Sequence, residues 1–441
     1  MIAQLLSIFP QMKIFGESMP VTIEGGLRMM ARELRQGLLG AETKILPAYI
    51  KNLEARERLT SMIPQLTMKN IPASLTREAA KALYGGMKGS VSSIETYYSC
   101  PYRHFIDYGL RPQETESFEE TAATTGTYAH AAMETLTRNI LSAKEKWAEL
   151  SDETLDEYVD KAAEQALFEH NREVMRESGR YAYLAKRLKE EVRYSAKAIR
   201  DQLMGTSIEV AGSEIGFGFW NDFTVKTPLG EIAIRGKIDR LDIAEADGEK
   251  YIRVVDYKTG NKGFELTELF YGVDIQLMVY LLAVLNLTKY RSAVPAGGFY
   301  FKINLPMVTP EDEYGERMKK YRMSGFLLAE KTAMEALDNG EKELFSMALR
   351  TSSDENMPIR SEAGFTREEM AAMLNYTKKL IGDAAVRIYG GNIEIRPLLL
   401  MDKLPCRYCP HLSICRVDDG NCMAKEGYKV GKQEILEALE R

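Results

Sequence analysis

The chain has 441 residues, a net charge of −6, 45% hydrophobic residues and 28% charged residues, as expected for an ordinary globular protein of two or three domains. The overall basic bias of many nucleic-acid-binding proteins is missing, although an acidic total still permits a local basic channel. No apolar run reaches membrane-spanning length and no signal peptide is indicated, so the sequence predicts a cytoplasmic protein without a membrane anchor.

Residues 1–89 have a helical pattern, with apolar residues three and four apart, and indicate no particular chemistry. The next segment, SVSSIETYYSCPYRHF, predicts a helix from Ile94 with Ser92 or Ser93 as its cap. Cys100 follows this helix, and taken alone it is an ordinary buried cysteine.

A further helix is predicted in TAATTGTYAHAAMETL, which carries His130. A lone histidine on an apolar helix face is more often a core residue than a functional one. Residues 151–206 predict long amphipathic helices, which are most simply a solvated layer.

Residues 232–260 predict two strands joined by an Asp-Gly turn. The first strand delivers Asp239 near its end, and the second ends with Asp256 and Lys258, whose side chains leave on the same face. Glu214, in an upstream strand, is a third acid. An Asp-x-Lys sequence is more often a surface ion pair. Its position at a strand end favours a catalytic site instead. In such a site carboxylates bind Mg²⁺ or Mn²⁺, and lysine can neutralise charge on a phosphate.

One apolar helix is predicted over residues 265–287, with Gln276 and Tyr280 one turn apart on one face. A buried glutamine is costly unless it is hydrogen-bonded, which favours a site over a core position. Residues 308–360 predict a polar excursion with one helix. A final long helix follows, capped by Thr366 and ended by two glycines.

Four cysteines form a second candidate site. Cys406, Cys409 and Cys415 lie close together, whereas Cys100 lies about 300 positions earlier. Four thiolates fit either Zn²⁺ or an iron–sulfur cluster. Zinc is the more common choice in general, but zinc sites usually combine two neighbouring Cys-x2-Cys pairs. Cys422 is left over.

Together these motifs resemble the RecB-type branch of the PD-(D/E)xK nuclease superfamily. The opening SxSxxExYxxCPYxxF segment and the four cysteines are similar to the AddB-type nuclease domain of bacterial helicase–nucleases. The motifs that carry the resemblance are Gly126-x3-His130, Glu214, Gly236-Lys-Ile-Asp239-Arg, Asp256-Tyr-Lys258 and Gln276-x3-Tyr280.

The resemblance implies an α/β fold: a restriction-endonuclease-like core with large helical additions. It also implies a [4Fe–4S] cluster whose cysteine ligands tie the start of the nuclease domain to its end. The expected domains are a helical segment (1–89, the tail of a helicase-like region), a nuclease domain (90–425) and a C-terminal helical tail (426–441). The expected cluster ligands are Cys100, Cys406, Cys409 and Cys415.

The activity implied is that of a Mg²⁺- or Mn²⁺-dependent deoxyribonuclease, an exonuclease that cuts single-stranded DNA during double-strand-break processing and recombination. An AddA-like helicase–nuclease subunit is the expected partner. No Gly-x4-Gly-Lys-Ser/Thr loop is present, so this chain should not hydrolyse ATP. Lys258 would assist the reaction, and Gln276 and Tyr280 would position the DNA. The expected metal ligands are Asp239, Asp256, the Tyr257 carbonyl, and Glu214 or His130.

Two other classes remain open. One is a stand-alone iron–sulfur exonuclease of the CRISPR-adaptation type, which is usually much shorter than this chain. The other is a non-catalytic, DNA-binding structural subunit. The intact set of Asp239, Asp256 and Lys258 argues against the second.

Overall fold

The computed structural model describes most of the chain in two units, Met1–Ile71 and Pro72–Arg441. In the first unit the main described element is helix α1 (Ile23–Arg35), which confirms part of the helical pattern predicted there. The rest of that prediction lies largely outside the described residues. The described residues are 22–35, several positions between 51 and 61, 72–112, 122–170, 179–219, 223–304, 318–338, 347, 363–416 and 424–439.

The described part of the second unit combines ten strands with helices on both sides of its main sheet. Its helices are α2 (Arg77–Tyr84), α3 (Val91–Ser99), α4 (Pro101–His104), α5 (Ala122–Ser142), α6 (Asp152–His170), α7 (Gly179–Leu203), α8 (Leu266–Phe270), α9 (Gln276–Asn286), α10 (Lys331–Leu337), α11 (Arg367–Tyr389), α12 (Leu412–Cys415) and α13 (Lys432–Leu439). Its strands are β1 (Lys88–Ser90), β2 (Glu209–Phe217), β3 (Thr224–Thr227), β4 (Gly230–Ala246), β5 (Glu249–Lys258), β6 (Val294–Lys302), β7 (Ser324–Leu328), β8 (Gly364–Phe365), β9 (Leu398–Leu400) and β10 (Lys425–Gly427).

Eight of these strands form one mixed sheet in the order β1-β4-β5-β6-β7-β8, with β2 and β3 also paired to β4. β4 and β5 form the predicted antiparallel hairpin. Asp247 and Gly248 occupy its turn with φ of 52° and 79°, the left-handed conformations that a tight hairpin requires. β5 and β6 are parallel, and helix α9 lies between them in sequence.

Two hydrophobic cores lie on opposite faces of this sheet. On one face α5, α6 and α7 pack against residues such as Val255 and Tyr257. On the other face α3, α9 and α11 pack against residues such as Ile252 and Val254. Neighbouring residues of β5 therefore point into different cores, because successive side chains in a strand alternate between faces. The predicted α/β fold with large helical additions is confirmed.

Three local predictions need correction. Asp239 lies within the long strand β4 and not near its end. Helix α3 begins at Val91, because Ser90 and not Ser92 or Ser93 is its cap and forms a capping box with Ser93. The single helix predicted over 265–287 is two helices, α8 and α9.

Glycine explains the break between α8 and α9. Gly272 has φ of 79°, a conformation that ends a helix and that few other residues adopt without strain. The later helix prediction is confirmed: Thr366 and Glu369 form a capping box at the start of α11, and Gly390 is its C-cap. Among the described residues, no helix is both long and apolar enough to cross a membrane.

Candidate active site

Two carboxylates meet on neighbouring strands of the sheet. The β4–β5 register pairs Arg240 with Val255, which places Asp239 beside Asp256 on the next strand. Both side chains are buried, with Asp256 only 2% exposed. Burial raises the pKa of Asp256 to about 6, and the charge of Asp239 contributes to the same shift. Two buried acids this close bind a proton or a cation readily, because like charges oppose joint ionisation.

Helix α5 brings His130 to the first of these acids. His130 Nε2 lies 2.7 Å from Asp239 Oδ2, and the backbone N–H of Tyr257 donates to the same oxygen at 2.8 Å. Burial lowers the pKa of His130, but the hydrogen bond and charge of Asp239 outweigh burial and the net shift is upward. The structure therefore brings together His130, Asp239 and Tyr257, three of the predicted metal-site residues.

The second acid belongs to a polar network with β5 and α9. Lys258 Nζ lies 2.6 Å from Asp256 Oδ2 and donates to Gln276 Oε1 at 3.0 Å. Gln276 Nε2 donates to Asp256 Oδ1 at 2.7 Å and to the Tyr280 hydroxyl at 2.7 Å. The predicted same-face pairs Asp256–Lys258 and Gln276–Tyr280 thus converge on one another. Gln276 is the first residue of α9, so the helix delivers its amide directly to the acid and the lysine.

Glu214 occupies a different place from the other predicted residues. It sits in β2 with φ of 54°, a strained conformation for a residue with a side chain. Its carboxylate pairs with Lys237, and it lies 3.8 Å from Arg138. The described contacts of Glu214 thus join it to basic residues and not to either aspartate.

Two charged residues near the site were not singled out from the sequence. Lys237 precedes Asp239 by two positions in β4, and burial lowers its pKa while the charge of Asp239 opposes that shift. Glu134 lies one helical turn after His130 and is 3.3 Å from Lys237 Nζ. The spacings of two in a strand and four in a helix are the signals that would have found them.

The four predicted cluster cysteines line one pocket. Burial raises the pKa of the Cys100 thiol. Hydrogen bonds from the backbone N–H groups of Tyr102, Arg103 and Arg396 oppose this rise. Within the part of the chain that the structure describes, no group of three or more His, Cys, Asp and Glu side chains has the geometry of a metal site. Cys422 lies outside the described residues. The pocket is lined by Cys100, Cys406, Cys409 and Cys415 together with residues such as Tyr102 and Pro405.

His411 also lines this pocket, but its ring nitrogen has another partner. His411 Nε2 lies 2.6 Å from Asp107 Oδ1. Asp107 also lies 3.2 Å from Arg103 of α4, so its carboxylate contacts both the segment after Cys100 and His411.

A mixed sheet that presents an aspartate on one strand and an Asp-x-Lys sequence at the end of the next defines a class of nucleases. The PD-(D/E)XK nuclease superfamily model matches residues 88–416, well over half of the chain. The chain belongs to this superfamily.

The curated relatives point to a narrower group within it. Two proteins named as the B subunit of an ATP-dependent helicase/deoxyribonuclease, from Alkaliphilus metalliredigens and Clostridium acetobutylicum, are 32% and 31% identical, over 89% and 85% of this chain. A protein of the same name from Oceanobacillus iheyensis is 28% identical over 85% of the chain. The chain spans only about a third of the length of these relatives, 34–36%.

Proposed function

We propose that this chain is a divalent-metal-dependent deoxyribonuclease that works as part of a helicase–nuclease complex. The observation that carries the proposal is the convergence of Asp239, Asp256 and Lys258 on adjacent strands. Buried carboxylates supply the hard oxygen ligands that Mg²⁺ and Mn²⁺ prefer, and the lysine supplies a fixed positive charge. The superfamily match supports the nuclease class.

The residues present fit a divalent cation. Asp239 and Asp256 would hold it, with the carbonyl of Tyr257, whose own N–H already fixes Asp239. Burial and the charge of Asp239 raise the pKa of Asp256, and a bound cation would oppose that shift because it favours the charged form. When bound, a divalent ion supplies an activated water and neutralises charge on the attacked phosphate.

His130 and Glu214 are the two further candidates for this site, and the structure gives them different relationships to it. His130 is hydrogen-bonded to Asp239, so it either shares the metal or orients the aspartate. Glu214 is paired with Lys237 and would have to leave that lysine to reach the metal site. We therefore propose His130, and not Glu214, as the further residue of the metal site.

The chain's own side chains then orient the substrate. Lys258 holds positive charge beside Asp256, where it neutralises negative charge that develops on the phosphate. Gln276 keeps its amide between the acid and the lysine, and Tyr280 anchors that amide from one turn further along α9. We propose that Lys258, Gln276 and Tyr280 together position the DNA strand at the metal.

For the cysteine pocket we propose a [4Fe–4S] cluster, with zinc as the competing occupant. The support is that Cys100 and the three C-terminal cysteines, far apart in sequence, line one pocket. A cluster there would cross-link the start and the end of the nuclease domain, which restrains a very long loop.

We also propose the domain limits expected from the sequence, which are 1–89, 90–425 and 426–441.

The relatives' names support DNA as the substrate and a further subunit as the partner. Those proteins are named as the B subunit of an ATP-dependent helicase/deoxyribonuclease, so we propose a second, AddA-like helicase–nuclease subunit as the partner. We further propose that the chain acts on single-stranded DNA as an exonuclease, in double-strand-break processing and recombination.

A cleavage assay with matched substrates tests the proposal. Purified protein is incubated with end-labelled linear single-stranded DNA, circular single-stranded DNA and duplex DNA, with Mg²⁺, with Mn²⁺ or with a chelator. We expect metal-dependent loss of the linear single strand and survival of the circle. Cutting of the circle would overturn the exonuclease part alone. Binding without cleavage in every metal would instead favour the non-catalytic alternative.

A further inference from the structure

Glu95 joins helix α3 to the start of helix α9, across 180 positions of sequence. Its Oε1 accepts the backbone N–H of Ile275 at 2.9 Å and that of Gln276 at 3.1 Å. The residue lies in the middle of α3 and is partly buried. The contact is thus made by a side chain of one helix with the backbone of another.

This contact supplies what the start of α9 lacks. The first N–H groups of any helix have no partner within the helix, and Ile275, the N-cap of α9, makes no side-chain cap of its own. A carboxyl oxygen from outside satisfies two of these donors, as a capping side chain does at other helix starts. The first turn of α9 is therefore held by Glu95.

Gln276, whose backbone Glu95 holds, also belongs to the polar network around Asp256 and Lys258. Gln276 receives the Glu95 contact on its backbone, while its side-chain amide contacts Asp256 and Lys258. A shift of the first turn of α9 would move that amide relative to both groups. No direct contact links Glu95 to the two aspartates in the described structure.

We propose that Glu95 is a positioning residue for DNA cleavage, acting through Gln276 on the Asp256–Lys258 pair. The inference rests on the proposed nuclease function. Glu95, the glutamate of the SxSxxExY segment, thereby gains a role in the active site, on the helix whose end also carries Cys100 into the cysteine pocket.

The surroundings of Glu95 suggest how it can be replaced. Burial raises the pKa of its carboxyl to about 8, and the nearby charge of Asp274 contributes to that rise, opposed by hydrogen bonding from Ile275 and by Lys262 and Lys258. The carboxyl is thus largely protonated at neutral pH. Both backbone donors use one oxygen, so the amide oxygen of glutamine can take its place with a neutral side chain of the same length.

The experiment compares Glu95→Ala and Glu95→Gln in steady-state cleavage of single-stranded DNA with Mg²⁺. Ser92→Ala is the matched control, because Ser92 is exposed on the same helix. We expect Glu95→Ala to lower kcat by about tenfold to a hundredfold, as small misplacements of catalytic groups do, with little change in KM. Glu95→Gln and Ser92→Ala should retain activity close to that of the wild type.

A double-mutant cycle then separates positioning from general loss of stability. If Glu95 acts through Gln276, Glu95→Ala should cost almost nothing further in a Gln276→Ala background. Equal losses in both backgrounds would overturn the inference, as would an active Glu95→Ala or a Glu95→Gln as impaired as Glu95→Ala.

Failure of the underlying function gives a different result. A wild-type protein without metal-dependent cleavage would remove the nuclease proposal and this inference with it. A wild-type protein that cleaves, with Glu95→Ala at the same kcat, would remove the inference alone. Circular dichroism and melting of each variant confirm that the compared proteins are folded.

Discussion

His130 and Asp239 lie 109 positions apart in the chain, and their side chains meet at 2.7 Å. The histidine comes from helix α5, which packs on one face of the sheet, and the aspartate comes from the long strand β4. The same oxygen of Asp239 also accepts the N–H of Tyr257. One carboxylate oxygen is thus held from two directions.

We predict that His130→Ala weakens the binding of divalent metal. The variant removes the side chain that orients Asp239, and loss of such a partner lowers metal affinity or activity by about tenfold to a hundredfold. Calorimetric titration with Mn²⁺ measures the affinity directly. Unchanged Mn²⁺ affinity in His130→Ala would show that the histidine neither binds the metal nor orients its ligand.

We predict that Asp256→Asn stabilises the metal-free protein at neutral pH. The folded pKa of Asp256 is raised from 3.8 to about 6, so the native state favours the protonated acid. The contribution of this acid to stability is full below about pH 4 and is lost as pH rises through about 6. The neutral amide avoids that loss.

Urea denaturation with a chelator, at pH 4 and at pH 7.5, measures this effect. Asp256→Asn should exceed the wild type in free energy of unfolding at pH 7.5, and the difference should shrink at pH 4. A variant less stable than the wild type at pH 7.5 would mean that the ion pair with Lys258 outweighs the cost of burying the charge.

We predict that Cys406→Ser loses the bound metal of the cysteine pocket, whereas Cys422→Ser keeps it. Cys406 lines the pocket, while Cys422 is the residue left over from the predicted ligands. Metal content is measured by iron, sulfide and zinc analysis after anaerobic purification, with an absorption spectrum. About four irons per chain supports the cluster. One zinc per chain would replace it, and neither metal would show that the pocket holds none.

We predict that Asp242→Ala destabilises the domain strongly. Asp242 is fully buried and pairs with Arg240 at 2.9 Å and Arg253 at 2.8 Å. Removing it leaves two buried guanidinium groups without this counter-charge, and breaking a buried pair in this way costs about 3–5 kcal/mol.

The control for Asp242→Ala is Glu245→Ala on the same strand. Glu245 pairs with Lys250 on an exposed surface, where ion pairs contribute little to stability. Urea denaturation of both variants makes the comparison. Similar stability of the two variants would show that the buried cluster contributes no more than a surface pair.

The hairpin that carries the acids was predictable from sequence. Alternating residues and an Asp-Gly turn define β4 and β5, and a spacing of two places Asp256 and Lys258 together. His130 was not predictable in this way, because a lone histidine on an apolar helix has no local signal of function. It entered through the resemblance alone, and the structure then placed it beside Asp239.

Other features depend on contacts that no local pattern encodes. The break between α8 and α9 places Gln276 at a helix start, where Glu95 from a distant helix can reach its backbone. The partner of Glu95 is a main-chain N–H, which carries no sequence signature. Glu214 shows the opposite case. It is an acid in the expected order of motifs, but its carboxylate pairs with Lys237.

The most direct test of the nuclease assignment is single-turnover cleavage of end-labelled single-stranded DNA by the wild type, Asp239→Asn and Asp256→Asn. Glu245→Gln, on the exposed end of β4, is the control for an acid lost elsewhere on the strand. We expect metal-dependent cleavage that survives Glu245→Gln and falls by at least about a hundredfold in each aspartate variant. Cleavage by Asp256→Asn at the wild-type rate would contradict the nuclease assignment.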